Sequence, residues 1–418
     1  MAATESATAF GQARHLLASP APFRRALARA LPDRPFSVAF WDGSVLPATA
    51  PDGAPQFVVR TPEAIARVLA APGQLGLGRA YVAGDLEVSD LDGALRVVGT
   101  WSPPAIAASD RARLLVAAAL ATGPRLPPPA PATEVRLTGE RHSLRRDVAA
   151  VRHHYDVSNA FFALFLDDSM TYSCAIFSRG AATLEEAQDA KRELVCQKLG
   201  LQARERLLDV GCGWGSLAIH AAQNHGVHVV GVTLSPEQAE LARQRVADAG
   251  LTGQVEIRIA DYREILGEQY DAVASVGMVE HVGEERIDEY AQRLAALLKP
   301  GGRLLNHGIA RLRHDDAPPG PFSERYVFPD GDPLPVSRVI AALERAGLEP
   351  HHVEGFRDDY AETLRHWARR LDERLDEAVA IAGEERVRTW RLYLRAARNG
   401  FETGFTSIFQ VRASAPTR

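Results

Sequence analysis

From Arg206 onward the chain alternates short runs of Val, Ile and Leu, bounded by Gly or Asp, with longer segments whose apolar residues recur at helical spacing. In order these are "RLLDV", "SLAIHAAQNHG", "HVVGVTL", "SPEQAELARQRVADAG", "VEIRIAD", "YDAVASV", "RIDEYAQRLAALLKP" and "GGRLLNHGIA". Near-continuous apolar strands separated by amphipathic helices predict a parallel sheet covered on both faces, a doubly wound α/β core. From about Ala310 to the end the pattern predicts further helices and a last strand, "FTSIFQVRA". The N-terminal part reads differently. "FSVAFWDGS" and "QFVVR" predict two short strands with Asp-Gly turn chemistry, and "PEAIARVLAA" a helix with Pro62 in its first turn, together a smaller α+β domain. Between the halves lies "GPRLPPPAPATE", whose proline density excludes helix and sheet and favours an extended connector. The organisation expected is a domain over 1–122, a Pro-rich linker and basic segment over 123–150, and the α/β domain over 151–418.

Composition changes this picture little. With 46% hydrophobic residues, 24% charged residues and a net charge of -5, the chain is an ordinary globular protein with no global basic field for nucleic acid. Cys174, Cys196 and Cys212 show no C-x-x-C pair and no His/Cys ligand spacing, which argues against a structural zinc and against a disulfide framework. No metal ligand is expected, and a reducing, cytoplasmic setting fits. The N-terminus "MAATESATAFGQARHLL" lacks a basic region leading into an apolar run, and "LLVAAALATG" is too short to span a bilayer. Any membrane contact is expected to be peripheral.

Chemistry enters at the glycines. "LLDVGCGWG" places Gly211, Gly213 and Gly215 after a strand and ahead of a helix, where the backbone turns sharply and can approach a nucleotide-like ligand. Nicotinamide enzymes use a similar turn. Here Asp209 before the loop, the G-x-G-x-G spacing and "AD" at Ala260 and Asp261 resemble the methyltransferase version of the fold and favour S-adenosylmethionine. Thr233 stands where an acidic residue often takes the ribose hydroxyls, so that task is expected to pass to groups such as Gln238. "VASVGMVEHVG" ends the fourth strand of the core with Glu280 beside His281. Ligands of open α/β sheets sit beyond the carboxyl ends of the strands, so Glu280 is placed for a base or a substrate-orienting carboxylate. The bland alternative is an acid complementing a helix dipole. His281 reads as structural. The aromatic stretch around Phe161, Phe162 and Phe165 suits a core helix, which leaves "TYSC" unexplained. Arg136, Arg141, Arg145, Arg146 and Arg152 form either a solvated helix face or a site for phosphate headgroups.

Taken in order, "HYDVSNAFFALFLDDSMTYSCAIF", "LLDVGCGWG", "GVTLSPEQ", "SVGMVEHVG", "RYVFPDG" and "YLRAARNGFETGF" resemble the cyclopropane-fatty-acyl-phospholipid synthases and the related mycolic acid cyclopropane synthases. The resemblance runs from roughly Arg152 to Gln410. "LGLGRAYVAGDLEVSDL" resembles the extra N-terminal domain of the phospholipid-acting members, thought to help present lipid. The resemblance implies a Rossmann-like class I methyltransferase sheet and S-adenosylmethionine held by Tyr172, Ser173, Asp209, Gly211, Gly213, Thr233, Gln238, Asp261 and Tyr262. It also implies a bicarbonate ion acting as base, cradled by Cys174, Glu280, His307, Ile309 and Tyr393. Two departures stand out. Tyr262-Arg263 occupies the place of an aromatic-Glu pair, and Asn306 precedes His307 in "LLNHGI", a variant similar to actinobacterial relatives that make methylene- or methyl-branched chains.

The activity implied is methylene transfer to the cis double bond of unsaturated phospholipid acyl chains. The alternative is a 10-methylene chain that a separate reductase would saturate. A lipid-binding protein that has lost activity is the reading from another class, and a small-molecule methyltransferase would leave the N-terminal domain without purpose. Peripheral contact with anionic membrane is expected, and the resemblance also suggests a homodimer, which would place two N-terminal domains on one membrane.

Overall fold

The computed structural model describes residues 19–50, 53–123, 128–155, 158–313 and 320–417. The first residues of the chain, Asp156 and Val157 of the aromatic motif, and residues 124–127 of the Pro-rich stretch lie outside this set, as do the side chains of Arg152 and His153. The chain divides into two compact units. One comprises residues 1–134, 320–322 and 384–396; the other comprises 135–319, 323–383 and 397–418.

The first unit is built on a four-stranded sheet of order β2-β1-β3-β4, with β1 at Ser37–Phe40, β2 at Val45–Leu46, β3 at Gln56–Val59 and β4 at Leu86–Val88. The Asp-Gly turn joins β1 not to "QFVVR" but to the two-residue β2. The Ser44 N–H donates to Asp42 Oδ1 at 2.9 Å and Gly43 takes a φ of 81°. β3 then returns parallel to β1. Helix Pro62–Ala70 starts with proline at its first turn, as expected, and buries Ile65 with Val38, Phe40 and Val59. Residues 384–396 join this unit rather than the C-terminal domain to which sequence assigned them. The physical reason is Arg388, buried and donating to Tyr81 O at 2.5 Å, Leu86 O at 3.0 Å and Glu87 Oε1 at 2.8 Å, with its guanidinium over the Tyr81 ring.

The second unit carries a seven-stranded sheet of order β10-β11-β9-β8-β5-β6-β7. β5 (Arg206–Val210), β6 (His228–Thr233), β7 (Val255–Ile259), β8 (Tyr270–Val276) and β9 (Leu298–Arg311) run parallel to their neighbours; β10 (Glu349–Gly355) and β11 (Thr406–Ser414) close the sheet antiparallel. Leu207, Leu208, Val273, Ala274, Leu304 and Leu305 are fully buried, as strands covered on both faces require. From β5 the chain winds outward through β6 and β7, then returns to add β8 and β9 on the other side. That reversal opens a crevice at the carboxyl ends of β5 and β8, where ligands of this architecture bind. The fold is the doubly wound α/β core that the alternating pattern predicted, in the Rossmann-like class I arrangement that the family resemblance implies.

Candidate active site

The loop after β5 makes the floor of a cavity in that crevice. Gly211, Gly213 and Gly215 all take positive φ, at 77°, 54° and 81°, a conformation in which side chains are strained. Their neighbours distinguish them. A Cβ at Gly211 would meet Met278 Cγ at 2.7 Å and one at Gly215 would meet Ala242 Cβ at 3.3 Å, whereas one at Gly213 would meet nothing within 4 Å. Gly213 therefore keeps space open on the cavity side instead of serving helix packing. Gly213→Ala is expected to cost about 1 kcal/mol of stability through its left-handed backbone. It should weaken S-adenosylmethionine binding at least ~10-fold, since close backbone approach is lost. Calorimetric titration beside thermal melts checks both.

All nine residues expected around the cofactor line this cavity: Tyr172, Ser173, Asp209, Gly211, Gly213, Thr233, Gln238, Asp261 and Tyr262. Thr233 Oγ1 donates to Gln238 Oε1 at 2.8 Å, so hydroxyl and amide do sit together at the end of β6 where an acid is absent. Tyr172 and Ser173 are delivered by a segment whose backbone is satisfied by side chains. Asp167 Oδ1 accepts from the Thr171 N–H at 2.9 Å, and Gln188 Nε2 donates to Thr171 O at 3.2 Å and Ser173 O at 2.9 Å. Beneath it Phe161, Phe162 and Phe165 are fully buried, with Phe162 against Tyr172 and Trp214, and Tyr172 stacked on Trp367. The Trp214 indole N–H donates to Asn159 Oδ1 at 2.6 Å, tying the aromatic motif to the glycine loop. The aromatic stretch is thus both core and scaffold for "TYSC".

Asp209 is buried, its Oδ2 has no partner among the described residues, and burial pushes its pKa up to about 7, against the pull of Lys191. Lys191 was not foreseen. It lines the cavity, donates to Ser173 Oγ at 2.8 Å, and is lowered to about 8 by burial, then by neighbouring Arg192. His281, read from sequence as structural, also lines the cavity; its apolar surroundings push it down to about 4, leaving a neutral ring at pH 7. Arg263, which replaces the usual Glu, is clamped between two carboxylates: Nη2 donates to Asp261 Oδ2 and to Asp147 Oδ2, each at 2.7 Å. Asp261 therefore sits at the wall already neutralised, and Asp147 from the basic segment joins the wall.

None of the five residues expected to hold bicarbonate lines the cavity. Glu280 stands in a 3₁₀ turn, Val279–His281, whose neighbours Met278 and His281 face the cavity while Glu280 turns inward and is only 7% exposed. Its Oε1 accepts from the Ile309 N–H at 3.3 Å, its Oε2 has no partner among the described residues, and burial raises its pKa to about 7. A dipole-complementing surface acid would be exposed and ordinary, so that alternative is not what the structure contains. His307, on β9 between the sheet's inner layers, is fully buried. Gln410 Nε2 donates to His307 Nδ1 at 2.9 Å, the ring's Nε2 has no partner among the described residues, and burial drives its pKa down to about 3. The His307 ring lies parallel to Phe356, and the Cys174 thiol points at Phe356 O at 3.8 Å as well as Ala175 O at 3.1 Å. Burial holds that thiol far above its ordinary value, so Cys174 is no nucleophile. Tyr393 lies in the part of helix Glu384–Glu402 that belongs to the first unit, edge-on to Trp390. Asn306 is buried and accepts from the Tyr290 hydroxyl at 2.7 Å.

A mostly parallel sheet with a glycine loop after its central strand and a cavity at the switch point is the frame of an enzyme that binds a nucleotide-like cofactor, the frame that S-adenosylmethionine-dependent methyltransferases use. The particular kind follows from comparison. Residues 142–411 match the family described as mycolic acid cyclopropane synthetase, and the chain belongs to that family. It is 39% identical to a probable fatty acid methyltransferase of Mycobacterium tuberculosis over 91% of each chain, and 38% identical to the cyclopropane-fatty-acyl-phospholipid synthase of Escherichia coli over 66% of this chain and 72% of that one. Among solved structures, the mycolic acid cyclopropane synthase CmaA1 complexed with SAH and CTAB superposes with a TM-score of 0.60 at 33% identity, covering 64% of this chain and 98% of that one. The family supports transfer of a one-carbon unit from S-adenosylmethionine to fatty acyl chains.

Proposed function

We propose that the chain converts the cis double bond of an unsaturated phospholipid acyl chain to a cyclopropane. The observation that carries this reading is a pair of buried polar groups without partners among the described residues, the Glu280 Oε2 acceptor and the His307 Nε2–H donor, the first on the 3₁₀ turn that also gives His281 to the cavity wall. Buried polar atoms without partners are rare and call for a ligand or a catalytic role. Burial holds His307 uncharged and leaves Glu280 partly protonated near pH 7, so an anion beside them meets less negative charge than an ordinary carboxylate would present. The residues of the second unit fit bicarbonate, with Glu280, His307, the Ile309 N–H and Cys174 as its proposed holders. When bound, bicarbonate would supply a weak base for the proton given up in the last step.

The double bond takes the methyl group as the carbon–sulfur bond breaks, S-adenosylhomocysteine leaves, and positive charge forms on the neighbouring acyl carbon. Loss of a proton from the new methyl closes the ring. An alkene is a poor nucleophile, so alignment and exclusion of water must contribute most of the acceleration. The wall formed by Tyr172 and its stack on Trp367 suits a passing cation.

Branching without ring closure is the second reading. It is favoured by Asn306 before His307, and by 34% identity over 94% of this chain to the tuberculostearic acid methyltransferase UfaA1 of M. tuberculosis. Labelled S-adenosylmethionine incubated with unsaturated phospholipid tests the shared step: label in the lipid fraction is expected, and binding without turnover would favour the inactive lipid-binding protein.

The substrate's location implies peripheral membrane contact, since among the described residues no helix is long and apolar enough to cross a bilayer. Leu115, Val116 and Leu120 stand exposed on helix Ala108–Thr122 of the first unit and support such contact. Leu115→Glu with Leu120→Glu should lower binding to anionic vesicles at least ~10-fold. Unchanged binding would reject that role. Of the basic segment, Arg145 is exposed, whereas Arg146 donates both ways to Asp330 at 2.6 and 2.7 Å and is structural.

A further inference from the structure

Helix Leu184–Leu199 packs against helix Ser216–His225. There a Cys196 thiol and one ring nitrogen each of His220 and His225 come within 4.8 Å of one another. Spacing along the chain gave no sign of this, because the two pieces, E-x-x-C and H-x-x-x-x-H, become a set only when the helices pack. Glu193, one turn before Cys196, places Oε2 3.1 Å from His220 Nε2 and 3.0 Å from His225 Nε2. Such separations match the edges of a zinc tetrahedron, whose oxygen and nitrogen ligands, each about 2.0–2.1 Å from the ion, lie roughly 3.3 Å apart.

The other nitrogen of His220, Nδ1, lies 3.2 Å from Asn224 Nδ2 and 3.3 Å from Asp189 Oδ1. Without an ion the neutral ring accepts from the Asn224 amide at Nδ1 and donates from Nε2 to Glu193. With an ion the ring takes the other tautomer: the Nδ1–H donates to Asp189 and the Nε2 lone pair faces the metal. Gln197 Nε2 donates to Glu193 Oε1 at 2.8 Å, which fixes the carboxylate with Oε2 turned to the rings. The Glu193 and Asp189 side chains are 36% and 64% exposed while Cys196 is buried, so an ion can enter from solvent and end on the thiol.

We propose that Glu193, Cys196, His220 and His225 form a structural zinc site. One thiolate, one carboxylate and two neutral imidazoles balance the ion's charge, and the thiol proton passes to solvent on binding. Four protein ligands leave no open position, which makes the site structural rather than catalytic. Its place explains its use. The first helix carries Lys191 and Val195 to the cofactor cavity, and the second begins with Ser216 and Leu217 on the cavity wall, directly after the glycine loop. An ion clamping the two would fix the loop from behind.

The test uses tag-free, full-length protein stripped of metal. Zinc titrated against a chromophoric chelator should bind at one equivalent per chain with a Kd of about 10 nM or tighter. Cobalt should give a near-ultraviolet thiolate band that Cys196→Ser removes while the visible bands persist. His225→Ala, at the helix end, should weaken zinc at least ~100-fold, with S-adenosylmethionine binding in the same samples reporting that each variant is folded. Absence of stoichiometric uptake, or uptake indifferent to both substitutions, would overturn the site and leave a cluster held by hydrogen bonds alone.

Discussion

Glu280→Gln should melt at a higher temperature than the wild type at pH 8 and turn over substrate at least ~100-fold more slowly. Burial raises the carboxyl from 4.5 to about 7, so the folded protein prefers it protonated. The stability this contributes is complete below pH 4.5 and is lost as pH rises through 7; above that, an ionised, buried carboxylate burdens the fold by up to about 3 kcal/mol. Glutamine keeps the acceptor for the Ile309 N–H and cannot ionise. The melting difference between variant and wild type should therefore widen from pH 5 to pH 8, reaching several degrees. S-adenosylmethionine affinity should stay within about twofold, because Glu280 is not on the cavity wall. A group that costs stability in the working pH range and is retained for chemistry shows this trade of stability for activity. Calorimetric scans and turnover assays on the same samples check it, and wild-type turnover by the variant would remove Glu280 from the mechanism.

Gly308→Ala should be nearly as damaging through packing alone. A Cβ at Gly308 would stand 2.1 Å from Val279 Cγ1 and 3.1 Å from Glu280 Oε2, in a strand paired on both sides. The strand cannot yield, so the 279–281 turn must, at about 1–3 kcal/mol, and Glu280 moves with it. A fall in kcat/KM of at least ~10-fold is expected with S-adenosylmethionine binding little changed. Adding Val279→Ala removes the first clash and should restore part of both stability and activity, a coupling that a double-mutant cycle measures. No coupling would mean that the turn relaxes independently of β9.

Much of this was legible in the chain, and the residues show why. "RLLDV", "YDAVASV" and the glycine loop announce themselves because parallel strands are apolar throughout and because positive φ demands glycine. The nine residues expected to hold the cofactor came from motifs contiguous with those strands, and all line the cavity. β10 was missed: "EPHHVEG" is an edge strand, mostly exposed or half-buried, so no apolar alternation marks it. Lys191 and His281 were missed or undervalued because a lysine on a helix and a histidine after a strand look the same whether they face solvent or a cavity. The allocation of residues 384–396 to the first unit depends on the contacts of Arg388 with residues some three hundred positions earlier, which no local pattern carries. Cys196 and its histidines illustrate the same limit, since ligand spacing reads along one segment and this set spans two helices.

The central claim, that the acyl double bond receives the carbon and closes a ring, is tested most directly by proton NMR of lipid extracted after the protein is incubated with S-adenosylmethionine, bicarbonate and liposomes of a cis-9 phospholipid. Upfield cyclopropane protons are the predicted result; exocyclic methylene protons, or lipid recovered unchanged, would contradict it.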